Sequence, residues 1–254
     1  MRRGDGRARD AAQAGVAPML HFLIHRHPAL GSTSDEARAL AAEGAPEGTV
    51  VTAGEQTAGR GRQGHGWTSP PGNLYASVVL RPAIDAARGP ELGFVAGLAV
   101  AEALAGLLPP GRAVTLKWPN DVLVDGAKIA GLLVEFGPAA MILGIGVNVV
   151  FHPSDTPYPA TDLAQAGAIV AVDAVRDAVL AALAATMMLW ETEGFAAVRA
   201  AWLARAHPVG TALMVRLGDG TRREGRFAGL GPDGALLLDI GEGRLRIVAG
   251  EVMR

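Results

Sequence analysis

The stretch Gly59-Arg60-Gly61-Arg62-Gln63-Gly64-His65-Gly66-Trp67 places four glycines and two arginines within nine residues. Glycine tolerates left-handed backbone and lets a ligand approach closely, while each arginine offers a planar fork of donors suited to carboxylate or phosphate. Such a stretch is either a solvated surface turn or a loop that closes over an anion. Its first six residues match G-x-G-x-x-G, which in dinucleotide-binding folds opens a helix directly after a strand. Here His65-Gly66-Trp67-Thr68-Ser69-Pro70-Pro71 follows, and that run cannot begin a helix. A dinucleotide-binding parallel sheet is thereby excluded. Neither lysine follows a glycine, so there is no Walker A loop, and the G-x-S-x-G elbow of serine hydrolases is absent. His25 and His27 could face a metal from one strand but lack a third ligand nearby, so no metal site is assigned.

Composition narrows the class. A chain of 254 residues predicts one large domain, or one large and one small. A net charge of −2 argues against a general nucleic-acid or membrane-surface binder. The absence of cysteine excludes disulfides and thiolate metal sites and fits a reducing, cytoplasmic setting. No apolar run is long enough to span a bilayer, and residues 1–18 read as a flexible tail without a secretory h-region. The bias within the charged set is informative. Of 23 basic residues only Lys117 and Lys128 are lysines, and asparagine occurs only at Asn73, Asn120 and Asn148. A residue type kept against such a bias marks chemical need. Both lysines and two of the asparagines fall between Lys117 and Asn148.

Apolar periodicity predicts strands over His21–His27, Thr49–Ala53, Asn73–Leu80, Ala113–Trp118, Asp121–Val124, Lys128–Phe136 and Met141–Val149. Helices are predicted to Ala42 behind a Thr33–Glu36 capping box, over Glu91–Leu108, and over Asp173–Ala206 with a break at Gly194. From Pro208 onward, short strands separated by glycine-rich turns predict a small β-barrel, of a size that folds only marginally alone. The fold class is therefore α+β: a mixed, largely antiparallel sheet with helices, then a β module. The expected boundaries are a catalytic domain over 19–206 and a C-terminal domain over 207–254.

Three further elements join the glycine loop. In Lys117-Trp118-Pro119-Asn120-Asp121, the proline fixes a turn that sets Asn120 and Asp121 at a strand edge, or simply turns around a buried tryptophan. Lys128 opens an otherwise apolar strand, which puts its ammonium at a pocket rim or beside a hairpin turn at the surface. Gly144 and Gly146 within one strand indicate close approach of a flat ligand, or tight strand packing.

In order and spacing, Ser32-Thr33-Ser34-Asp35, Gln56, Gly59 to Trp67, Lys117 to Asp121, Lys128 to Glu135 and Gly144 to Asn148 resemble the catalytic domain of the biotin protein ligases. Gly234 to Leu238 and Gly250-Glu251-Val252 resemble that family's SH3-like C-terminal domain. The resemblance implies a class II aminoacyl-tRNA-synthetase-like sheet. It implies ATP and biotin as substrates with Mg²⁺, biotinyl-5′-AMP as intermediate, and a lysine of a biotin carboxyl carrier domain as acceptor. It assigns Ser32, Thr33, Ser34, Gln56, Arg60, Gly61, Arg62 and Lys128 to biotin, and Arg62, Trp67, Asn120 and Asn148 to the nucleotide. Lys128, Arg60 and Asp121 are the catalytic candidates. Ser34 departs from the family's usual asparagine, and His65 from a frequent third arginine. Only about 20 residues precede the match, so a helix-turn-helix domain, DNA binding and a membrane partner are not expected; a homodimer is left open. The rival readings are a lipoate or octanoate ligase or transferase of the same fold, and a non-catalytic sensor of the biotin adenylate.

Overall fold

The computed structural model describes residues 20–253, so the expected tail over 1–18 lies outside the described residues. Seven strands form the main sheet: β1 (Leu23–Leu30), β2 (Thr49–Gln56), β3 (Leu74–Leu80), β4 (Val114–Lys117), β5 (Asp121–Val124), β6 (Ala127–Phe136) and β7 (Met141–Val147). Their order is β1-β2-β3-β7-β6-β5-β4. The β1–β2 pair is parallel and every other pair is antiparallel. The first strand runs later than the periodicity predicts, through Pro28. As the sheet's edge strand, β1 has one side with no ladder to donate to, and a proline is tolerated there.

Alternation along β2 and β3 sorts side chains to two faces. Val51 and Val79 pack with Ile142 under helix α1 (Thr33–Ala42), against Ala37 and Ala41. Val50 and Val78 face the larger core, beneath α2 (Glu91–Leu107), α3 (Val172–Glu193) and α4 (Phe195–Ala204). Helix α2 is apolar nearly all round, as a helix between a sheet and further helices must be. It ends just before Pro109-Pro110, while Gly194, at φ 78°, closes α3 and opens α4 where the break was predicted.

The capping box is not formed. Ser32 is the N-cap of α1 and no side chain caps the helix. Thr33 Oγ1 turns inward to Ser77 and Gln56 instead, because those groups are buried and need partners.

The C-terminal module comprises β8 (Ala212–Leu217), β9 (Arg222–Leu230), β10 (Leu236–Asp239), β11 (Arg244–Ile247) and β12 (Gly250–Val252), an SH3-like antiparallel sheet in the order β11-β10-β9-β8-β12. Its apolar face belongs to the same buried cluster as the main body: Leu213, Phe227, Leu236 and Val252 line one small void with Leu116, Trp118 and Trp202. Trp118 Nε1 donates to the Gly234 carbonyl at 3.0 Å, and Arg199 donates to Leu230 O at 2.8 Å. A module of this size completes its core by borrowing the larger one.

Candidate active site

The glycine loop is a small hairpin. Arg60 and Gly66 form an antiparallel bridge, Gly61 N donates to His65 O at 2.7 Å, and Trp67 N donates to Gly59 O at 2.9 Å. Close approach explains Gly59, where a Cβ would lie 2.5 Å from the Trp67 carbonyl oxygen. The loop caps a cavity of about 880 Å³, its mouth included. Ser32, Thr33, Ser34, Gln56, Arg60, Gly61, Arg62, Trp67, Asn120, Asp121 and Lys128 all line it. Residues spread over nearly a hundred positions thus meet in one place.

The two ends of the cavity differ chemically. Near Gly144, Ser34 Oγ and Thr33 Oγ1 share Ser77 Oγ at 3.0 and 2.8 Å, and Gln56 Oε1 accepts from Thr33 N at 2.8 Å. Gln56 Nε2 donates to Ser69 Oγ at 3.0 Å. These contacts hold hydroxyls and an amide in fixed directions. Ser77, fully buried, organises them and carries no signal in sequence beyond its place in a strand.

At the other end, near Gly131, Lys128 Nζ lies 2.6 Å from Asp121 Oδ1 and Lys117 Nζ lies 2.9 Å from Asp121 Oδ2. The β5–β6 hairpin across Asp125-Gly126 brings Lys128 back beside Leu123, close to Asp121. Burial alone would lower the Lys128 pKa. The Asp121 carboxylate, together with the Tyr158 hydroxyl, outweighs it and holds the ammonium above its ordinary value. The Tyr158 ring sits 4.5 Å from Lys117 Nζ and 5.3 Å from Lys128 Nζ. No motif marks Tyr158, although its rarity in the chain is a signal. The chain has only two tyrosines, Tyr75 and Tyr158, and both line this cavity.

The two loop arginines have different surroundings. Arg60 is held by Asp35 at 2.6 and 2.8 Å and reaches Glu135 at 3.4 Å; the same two acids also bind Arg38. The Asp35 hydrogen bond raises the Arg60 pKa, and Arg60 lowers that of Asp35. Arg60 therefore fastens the loop to α1 and β6. Arg62 instead donates to the Asn120 amide oxygen at 3.3 Å. Desolvation lowers its pKa, opposed by Asp121 and Glu251.

One expectation needs correction. The flat group that lies against Gly146 belongs to the protein: a Cβ there would come within 2.6 Å of the Trp67 indole, which also rests on Gly131. The indole Nε1 is buried without a partner at the cavity wall. Asn148 is not part of the lining. It is buried and its amide donates to Thr161 O at 3.0 Å. Asn73 is likewise architectural, accepting from the backbone N–H groups of Val149, Val150 and Phe151.

The C-terminal module reaches this site. Gly250 and Glu251 of β12 form part of the wall, with Glu251 held by Arg216 at 2.5 Å. Among the described residues, no group of three His, Asp or Glu side chains is disposed to hold a metal ion, and no helix is long and apolar enough to cross a membrane.

Comparison with known proteins agrees with this geometry. Residues 31–149 match the model of the biotin/lipoate A/B protein ligase family, and residues 213–254 match the biotin protein ligase C-terminal domain. The chain is 39% identical over 233 residues to the biotin–[acetyl-CoA-carboxylase] ligase of Paracoccus denitrificans, covering 87% of this chain and 96% of that one. It is 35% identical to the ligase of the same name from Mycobacterium tuberculosis, covering 88% and 85%. The structure of the Aquifex aeolicus biotin protein ligase in complex with biotin and ATP superposes with a TM-score of 0.79 at 30% identity, covering 90% and 97%. The chain belongs to the biotin/lipoate A/B protein ligase family, among its biotin protein ligases.

Proposed function

We propose that this protein joins biotin to ATP as biotinyl-5′-AMP, with loss of pyrophosphate, and passes the biotinyl group to a lysine of a biotin carboxyl carrier domain. One observation carries the reading: a buried Lys117–Asp121–Lys128 cluster and a set of fixed hydroxyls and an amide share one cavity under an arginine-bearing loop. Ser32, Thr33, Ser34 and Gln56 suit a ureido ring, which has both N–H and C=O groups to satisfy. A dithiolane or plain acyl chain offers no N–H or C=O group to the donor and acceptor capacity that these side chains keep beyond their own hydrogen bonds. That chemistry favours biotin over lipoate or octanoate.

In the first step a biotin carboxylate oxygen attacks the α-phosphorus and the bond to pyrophosphate breaks. Two anions must meet, so fixed cations supply the stabilisation. Lys128 faces the carboxylate and α-phosphate, and Arg62 with Asn120 faces the phosphate chain. Arg60, engaged by Asp35, holds the loop in place over them. Trp67 closes the wall between the two substrates. In the second step the acceptor amine attacks the anhydride carbonyl, AMP leaves, and Asp121 takes the amine proton. The mixed anhydride is labile to water, and the loop excludes solvent.

The family resemblance implies Mg²⁺. The carboxylates lining the cavity are Asp121, bridged by two lysines, and Glu251, paired with Arg216. They do not form a cation site.

The test is biotin-dependent pyrophosphate release from ATP, followed by label transfer to a carrier domain, with lipoate in a parallel arm. Biotin is expected to support both steps and lipoate neither. Release driven by lipoate, or binding of biotin without any release, would overturn the reading.

A further inference from the structure

Lys117 is outside the cavity lining, yet it holds the carboxylate that Lys128 also holds. The side chains of Lys117, Asp121 and Lys128 are 8%, 6% and 14% exposed. Two ammonium groups on one carboxylate leave an excess positive charge in a desolvated place, a field suited to an incoming anion. The arrangement also sets a problem. To reach a substrate carboxylate and phosphate, Lys128 must loosen its 2.6 Å contact with Asp121. A buried carboxylate stripped of its last cation is strongly disfavoured, so a one-to-one pair would hold Lys128 back.

We propose that Lys117 is a positioning residue that keeps Asp121 neutralised while Lys128 turns to the reacting anions. It holds Oδ2 at 2.9 Å and leaves Oδ1 for Lys128 to vacate. The Tyr158 ring, 4.5 Å from the Lys117 ammonium and 5.3 Å from that of Lys128, adds a cation–π contact to both. His207 also lies within electrostatic reach of Lys117, with its buried Nε2 making no hydrogen bond. The inference rests on the placement of Lys128 at the substrate carboxylate.

The experiment follows adenylation alone, as biotin-dependent pyrophosphate release by the full chain at saturating biotin and ATP. Lys117→Met is expected to slow it by about 30-fold or more, because Asp121 then holds Lys128. Adding Asp121→Asn to that variant removes the trap and is expected to bring the rate within about threefold of Asp121→Asn alone. A purely structural role for Lys117 would not produce this rescue. Lys117→Arg keeps a cation on Asp121 and is expected to stay within about fivefold of wild type. Should Lys117→Met fail to fold, the pair Asp121→Asn and Lys117→Met/Asp121→Asn, with Lys117→Arg, decides the matter. Wild-type adenylation in Lys117→Met, a double variant as slow as Lys117→Met, or a loss in Lys117→Arg beyond about 30-fold would each overturn the inference. Lys128→Ala is the separate control. If it adenylates normally in every background, the placement of Lys128 itself is wrong, whatever Lys117 does.

Discussion

The Trp67 indole lies directly on the backbone of Gly146, where a Cβ would come within 2.6 Å of the ring. A loop residue and a strand residue 79 positions apart in sequence thus define one wall of the cavity. The strand is buried backbone that cannot yield, so a side chain at 146 must move the ring. Gly146→Ala is expected to destabilise the protein by about 1–3 kcal/mol and to raise the biotin KM at least about tenfold. Thermal melts and intrinsic tryptophan fluorescence during biotin titration check both. Unchanged fluorescence and KM would show that the ring seat is not part of binding.

The two loop arginines should separate kinetically. Arg62→Ala removes a desolvated cation at the phosphate end and is expected to cost about 10²-fold or more in adenylation kcat. Arg60→Ala releases the loop from Asp35, a half-exposed ion pair that contributes about 1 kcal/mol or less to global stability. Its expected effect is faster protease cleavage within 59–67 and a raised KM, with Tm nearly unchanged. Equal kcat losses in both variants would contradict this division.

Acid should loosen the same latch. The Arg60 hydrogen bond, aided by Arg38, holds the Asp35 carboxyl below its ordinary value. A depressed folded pKa means that the contribution is present above the unfolded value, about 3.9, and is lost as pH falls through the folded one. Loop cleavage by an acid-stable protease is expected to rise across that window in wild type and to change little in Arg60→Ala.

His207, which lines the small void between the main body and the C-terminal module, makes stability sensitive to pH. Burial, with the nearby Lys117 charge, lowers its pKa, and its Nε2 has no partner. The unfolded chain then binds the proton more readily than the folded one, so stability rises with pH and is lost as pH falls below the unfolded value of about 6.5. His207→Leu should flatten the dependence of Tm on pH below about 6.5. An unchanged slope would remove His207 as its source.

Removing the C-terminal module should do more than shorten the chain. A protein ending at residue 206 would expose Trp118 and Trp202 and lose Gly250 and Glu251 from the cavity wall. It is expected to aggregate or melt well below the full chain, as read by size-exclusion chromatography and thermal scans. A stable, fully active truncation would show that the shared core is dispensable.

Local pattern determined much of this protein. Alternation placed the strands, Gly194 broke the last long helix as expected, and the glycine loop excluded a dinucleotide fold because its following residues cannot start a helix. Rarity pointed to the needed residues: both lysines sit on Asp121 and both tyrosines line the cavity. Rarity did not say what each was needed for. Asn73 and Asn148 turned out to satisfy buried backbone groups, Arg60 to be held by Asp35 at the cavity wall, and Thr33 to join a buried hydroxyl network rather than cap its helix. Those outcomes depend on which polar groups lose water together when the sheet closes, and that is settled by distances between strands remote in sequence.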